Sequence, residues 1–362
     1  MTIESGPEIE KLAQEPKSCQ ELLDEYELNC EKVGRPTGEI IDVELIGPDF
    51  GATRIAAPID DGSGREIVAG ELTAFNPAPL PGGLVAARIE PRDDESSSRT
   101  VFFVSTENPN ILTEMPDAPI FNLQDPFSMK IGDKRLFGGV ETFPRTDGSG
   151  FLGFRTLIYE YEKDIKELQG PDGKIVEPMI KGPDGMKGIR LVELPGGRIG
   201  IFTRPQGEKG GLGKIGYFEV NSLEEITDAD FEQAEIIPEL FQDNEWGGVN
   251  EASILDDGRI SVLGHIARFD ESTDDQDPVR EYYPITFIFD PSDRTIADLH
   301  IIATPDCVSP VIPKKPGLRK VMYPGGVTQE DDGTATLWSG LSDATIAKIR
   351  LPENPFENAR QA

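Results

Sequence analysis

The sequence is short of positive charge. Its 35 Lys and Arg stand against 66 Asp and Glu, a formal net charge of −31 over 362 residues. Such a surface disfavours nucleic acid and anionic membranes as partners. It serves solubility, or adaptation to high salt, where screening makes self-repulsion tolerable. No apolar run approaches the ~20 residues that a membrane-spanning helix needs. The opening MTIESGPEIEKLAQEPK has neither the basic start nor the apolar stretch of a secretory signal. Cysteine is scarce, and Cys19, Cys30 and Cys307 have no metal-like spacing, which reads as reduced thiols in a cytoplasmic protein. The chain also lacks a zinc pattern, a Gly-Lys phosphate loop, a dinucleotide fingerprint and a serine-nucleophile motif. GGLGKIG at Gly210 is glycine-rich without the strand-to-helix context of a nucleotide loop. Neither a metal nor a cofactor is expected.

What the sequence does have is regular punctuation. Its 38 Gly and 30 Pro are spread along the chain between short apolar runs, an all-β signal. Residues 1–37 differ: Ile9, Leu12, Leu22, Leu23, Tyr26 and Leu28 recur at roughly helical spacing, with Pro16 interrupting. This predicts a short N-terminal helical extension, a pair of helices packed outside the main body, followed by one domain over 38–362.

Within that domain one unit returns five times: a polar or Pro/Gly-rich lead, an apolar strand, a tight turn and a second strand. The copies are FNPAPLPGGLVAARIEPR from Phe75, LQDPFSMKIGDKRLFGGVE from Leu123, MKGIRLVELPGGRIGIFTRP from Met186, GGVNEASILDDGRISVLGHIAR from Gly247 and YPGGVTQEDDGTATLWSGLSD from Tyr323. The turns Gly82-Gly83, Gly132-Asp133, Gly196-Gly197, Asp257-Gly258 and Asp332-Gly333 suit tight hairpins. Further strands follow the first four copies: TVFFVSTE, RTLIYEYEKDI, KIGYFEV and YYPITFIFDP. Radial repetition of such units predicts a five-bladed β-propeller. Residues 272–278 and the PKKPG of 313–317 read as loops, and the tail after Leu351 as peripheral.

In a propeller the innermost strands line one channel, so residues at equivalent positions converge. Aligning the copies places Asn76, Asp125, Lys187, Asn250 with Glu251, and Tyr323 at one phase. The returning strands add Arg88, Glu90, Glu141, Arg204, His265 and Asp343 at a second. Convergent polar groups in a concave pocket are the default candidate site. Asp125 stands out, because a carboxylate beside a proline at the head of an apolar strand is costly to bury unless paired or neutralised. It caps a turn, or it does chemistry. Burial alone would make Asn at this position no loss to stability.

QDPF, with RIEPR before it, resembles the five-bladed mannoside phosphorylases of glycoside hydrolase family 130. WGGVNEA, LGHIAR, YPGGV and SGLSDA resemble more closely a related family once catalogued as a domain of unknown function, DUF1861, which includes dual-activity β-1,2-mannosyltransferase/phosphorylases (MTP-type). The resemblance runs from about residue 38 to residue 350. It implies a general acid/base aspartate, here Asp125, and inorganic phosphate as the nucleophile. A phosphorylase needs the acid but no second carboxylate to activate water. It must instead hold an anion. Lys187, Arg190, Arg204, Lys214 and His265 are the phosphate-binding candidates, some of them equally placed to be salt-bridge partners. Asn76, Arg88, Glu90, Asn250, Glu251 and Asp343 are candidates for sugar hydroxyls, while Glu141 is as easily structural. Tyr283 and Tyr323 suit a sugar face or the core.

The expected function is therefore a β-1,2-mannoside phosphorylase giving mannose 1-phosphate, with a β-mannoside oligosaccharide and phosphate as its partners. The alternatives are an inverting glycoside hydrolase using Asp125 as acid and Glu251 as base, and a non-catalytic sugar-binding propeller.

Overall fold

The computed structural model describes residues 16–62, 70–146, 151–238, 240–270 and 278–356. Its first element is helix α1, Cys19–Val33. Ser18 and Glu21 form a reciprocal cap at its start, satisfying two backbone N–H groups that the helix cannot bond internally. Cys19, Leu22 and Tyr26 line the buried face, at helical spacing. Leu28 lies outside that stripe and is exposed. The expected first helix of the pair falls on residues 1–15, outside the described residues.

Strands β1 (Thr37–Leu45) and β2 (Thr53–Ile55) come next, followed by four antiparallel runs of four strands. The first run is β3 (Leu72–Leu80), β4 (Leu84–Pro91), β5 (Arg99–Ser105) and β6 (Ile111–Glu114). The second is β7 (Leu123–Ile131), β8 (Lys134–Pro144), β9 (Leu152–Tyr161) and β10 (Ile180–Lys181). The third is β11 (Arg190–Glu193), β12 (Ile199–Thr203), β13 (Gly216–Val220) and β14 (Glu235–Ile236). The fourth is β15 (Trp246–Ile254), β16 (Ile260–Phe269), β17 (Arg280–Asp290) and β18 (Thr295–Ile301).

A fifth run joins β19 (Lys320–Gln329), β20 (Ala335–Leu341) and β21 (Thr345–Leu351), and its fourth member is β1, antiparallel to β21 from Thr37 opposite Arg350 to Ile41 opposite Ile346. All five hairpin turns expected from the glycine dipeptides join the first two strands of a run, with positive φ at Gly82, Gly132, Gly196, Gly258 and Gly333. Short parallel pairings, β1 with β6 and β17 with β19, knit three of the runs into one larger sheet. Beyond β1, helix is confined among the described residues to α2 (Asp228–Gln233) and single turns, so the chain is mostly β.

Apolar side chains fill the spaces between successive runs. Phe102, Phe121 and Phe137 pack the first against the second, and Phe127, Ile158, Leu191 and Ile201 the second against the third. Phe202, Tyr217, Val262 and Phe289 pack the third against the fourth, with α1 laid over that cluster. Leu263, Met322 and Leu337 join the fourth to the fifth, while Trp338 and Ile346 join the fifth to Val43, Ala74 and Ile89. The leading strands touch in a ring: β3 against β7, β7 against β11, β11 against β15, β15 against β19, and β19 back against β3. The polar leads of these strands are thus brought to one place.

Candidate active site

The leading strands are not regular. Their pairing slips by a bulge at Asn76-Pro77, at Asp125-Pro126, at Asn250 and at Gly325. Proline has no N–H for the ladder, so an Asn-Pro or Asp-Pro step is easily extruded. Asn76 and Asp125 take φ of 48° and 47°, a left-handed conformation that Asn and Asp tolerate better than other side chains. Close packing keeps Asn76 there: a Cβ on Gly340 would lie 2.0 Å from its Oδ1, and one on Gly325 would lie 1.5 Å from the Pro77 carbonyl oxygen.

The bulges at Asn76 and Asp125 open into a cavity of about 230 Å³. Its walls carry six cationic side chains (Arg88, Lys187, Arg190, Arg204, Arg280 and Lys315) and three carboxylates (Glu95, Asp125 and Asp343), with Asn76, Gln124, His265, Tyr282 and Tyr323 between them. A surplus of three positive charges inside a chain of net −31 marks this as a place for an anion.

Asp125 Oδ1 accepts from Asn76 Nδ2 at 2.8 Å and from Arg88 Nη1 at 3.2 Å. Burial pushes its pKa up, but the charges of Arg88 and Lys187 and these hydrogen bonds outweigh burial and hold the carboxyl below the usual carboxylate range. Asp343, in the turn between β20 and β21, is pushed the other way. Burial, helped by Asp125 and resisted by Arg88, raises it to about 6. The cavity thus holds two carboxyls whose proton affinities are driven apart.

Three cations of the cavity wall differ in how they are held. Arg190 donates from Nε to Asn250 O at 2.7 Å and stacks 3.7 Å from the Phe127 ring centroid. Arg204 donates from Nε to Gly247 O at 2.6 Å. Backbone carbonyls thereby orient both guanidiniums without neutralising them. Lys187 has no hydrogen-bond or ion-pair partner among the described residues. Burial, then repulsion from Arg204, pulls its pKa down to about 8.

Other sequence candidates land elsewhere. Lys214 donates to the Phe241 and Gln242 carbonyls and does not line the cavity. Tyr283 is 6% exposed in the core. Strand alternation puts its neighbour Tyr282, together with Arg280, on the cavity face of β17. Glu90 meets no ligand space: it is 1% exposed and bound by Arg88, Ser98 and Lys314. It orients Arg88 rather than a sugar. Asn250 spends its amide on Pro324 O at 2.7 Å and its Oδ1 on His265 Nδ1 at 2.7 Å.

Glu251 lines a different cavity, of about 630 Å³, nearer the hairpin turns of the same leading strands. There its Oε2 accepts from Val327 N, and burial raises its pKa to about 7. Glu141 is structural, with Arg155 Nε at 2.6 Å. Arg280, Tyr282, Lys315, Glu95 and Gln124 went unseen in the sequence. For Lys315 a signal existed, since a double lysine is conspicuous in so acidic a chain.

Among curated proteins, none matches this chain. Three solved structures are similar to it over 92% of its length. MPT-4, a mannose phosphorylase from Leishmania mexicana in complex with phosphate ion, is 28% identical and covered over 94% of its own chain, at a TM-score of 0.71. MPT-1, a GDP-Man-dependent mannosyltransferase from the same organism, is 24% identical and covered over 96%, at a TM-score of 0.71. A hypothetical protein from Leishmania major is 26% identical and covered over 95%, at a TM-score of 0.67. Residues 81–358 match the family described as proteins of unknown function, DUF1861, and the chain belongs to that family.

Proposed function

We propose that this chain is a carbohydrate-active enzyme that cleaves β-mannosides with phosphate, its five runs forming the blades of one propeller around the cavity. The observation that carries the reading is the set Lys187, Arg190 and Arg204, with Lys187 free of hydrogen-bond and ion-pair partners among the described residues, gathered in one cavity with Asp125. Two oriented guanidiniums with a third cation beside them suit a phosphate, which needs charge and directed N–H donors. The likeness to a mannose phosphorylase that holds a phosphate ion supports the same choice.

In the proposed reaction a phosphate oxygen forms a bond to the anomeric carbon as the glycosidic C–O bond breaks. The Asp125 carboxyl passes its proton to the departing oxygen, and the products are mannose 1-phosphate and a shortened sugar. Without ligand, Asp125 is ionised, held so by Arg88 and Lys187. An incoming phosphate brings negative charge beside it and engages Lys187, so the carboxyl gains its proton as the ligand binds. Asp343, with its raised proton affinity, is the second polar anchor for sugar hydroxyls. The hydrolase reading is less supported, because its second carboxylate, Glu251, lines the other cavity.

Incubating the protein with β-1,2-mannobiose, with and without phosphate, tests the proposal. Mannose 1-phosphate formed only with phosphate is the expected result. Free mannose released equally in both would replace phosphorolysis by hydrolysis, and binding without turnover would leave a sugar-binding protein.

A further inference from the structure

His265 is 3% exposed and lines the cavity beside Lys187, Arg190 and Arg204. The sequence offers it as one more cation for phosphate. The hydrogen bonds around it say otherwise. Pro324 O is a backbone carbonyl and can only accept, so the Asn250 group 2.7 Å from it is the NH₂. The group that Asn250 turns to His265 is therefore its carbonyl oxygen, which can only accept. His265 Nδ1, 2.7 Å away, must carry the proton. In the neutral ring that leaves Nε2 as a bare lone pair, and Nε2 is buried with no hydrogen-bond partner among the described residues. Burial and the charges of Arg204, Lys187 and Arg190 all oppose a second ring proton. The ring is held in place by near-parallel stacking on Tyr282, with centroids 5.7 Å apart.

We propose that His265 Nε2 is a hydrogen-bond acceptor that makes the anion pocket selective for oxyanions bearing a proton. This rests on the reading of the cavity as a phosphate site and adds a rule of discrimination to it. Phosphate and arsenate keep one O–H near neutral pH and can donate to Nε2 while their other oxygens meet Lys187, Arg190 and Arg204. Sulfate has the same shape but no proton. It would set an oxygen lone pair against the Nε2 lone pair and leave a buried acceptor unsatisfied. Sites built around such a hydrogen bond reject the analogue lacking it far more strongly than sites built on shape.

Two measurements on the wild-type protein test this. Calorimetric titration at pH 7 with phosphate, arsenate and sulfate is expected to give at least ~10-fold tighter binding of the first two. Two-bond ¹⁵N–¹H correlation, in a chain with only two histidines, is expected to show the neutral Nδ1–H form of His265, with the resonance assigned by its loss in His265→Phe. That variant keeps a ring for Tyr282 to stack on, and its phosphate-to-sulfate ratio should fall towards unity. Equal binding of sulfate and phosphate by the wild type, or an Nε2–H or doubly protonated ring, overturns the proposal while leaving a phosphate site standing. If the wild type binds none of the three anions, the phosphate reading fails and the selectivity rule with it.

Discussion

At the scale of single residues, the cavity turns on opposed charges. Replacing Asp125 by Asn keeps its shape and removes the transferable proton, so the phosphorolysis rate should fall about 10²–10⁴-fold per folded molecule. The sequence alone suggests no loss of stability from this change, since it removes a buried charge. The cations around Asp125 reverse that expectation. A carboxyl whose folded pKa lies below its unfolded value stabilises the fold above the unfolded value and ceases to do so as pH falls through the folded one. The Asn variant should therefore melt lower than wild type at pH 7, and the two curves should converge in acid. A variant with normal turnover would end the catalytic assignment. Lys187 supplies a second test. Because its pKa is near 8 in the free protein, phosphate affinity should weaken by roughly tenfold per pH unit above that value. Lys187→Arg, always charged, should lose that contribution and fall less steeply than wild type from pH 7 to pH 9.5, keeping only the dependence that proton uptake at Asp125 imposes. Calorimetry in that range reads both, and a wild-type profile no steeper than the variant's would remove Lys187 from the anion site.

At the scale of elements, legibility in the sequence follows how local the cause is. The five hairpins were readable because each turn is written in two adjacent residues. The inner bulges were half readable, since Asp-Pro and Asn-Pro announce a break in pairing but not its direction. Tyr282 was missed for Tyr283 because a one-residue change of phase exchanges the faces of a strand, and the sequence just before β17 has no glycine dipeptide to fix that phase. Glu90 was misassigned because its partner Lys314 is 224 residues away, in a segment that reads as a plain loop. These placements give a prediction at the same scale. Gly340→Ala, on β20, puts a methyl group against Asn76 Oδ1 and so disturbs a neighbour of Asp125 from another run. Turnover should drop by up to ~10²-fold through misplacement alone, with the circular dichroism of the fold unchanged. Unaltered turnover would show that Asn76 does not position the acid.

At the scale of the whole molecule, the surface and the cavity carry opposite signs. Self-repulsion at net −31 is a cost that salt screens. Melting temperature should therefore rise between 0.05 and 1 M sodium chloride, as roughly expected when the Debye length shrinks from above 10 Å to about 3 Å. A melting temperature that falls across this range would mean that the ion pairs outweigh the repulsion. The sharing of core between successive runs, including the last and the first, was not legible residue by residue. It depends on which faces meet after all five runs exist.

That closure has a consequence for how the molecule comes into being. The first half of β1, Thr37 to Ile41, finds its antiparallel partner only in Ile346 to Arg350, in the last strand among the described residues. On the ribosome, this stretch waits through the synthesis of some three hundred residues before its neighbour emerges. Until then the nascent chain carries an open edge at its beginning, and the final run cannot be completed. Folding of so non-local a topology is slow, and exposed edges invite the wrong pairing. A chain stopped short of Thr345 should accordingly be a substrate for chaperones rather than a smaller version of the protein.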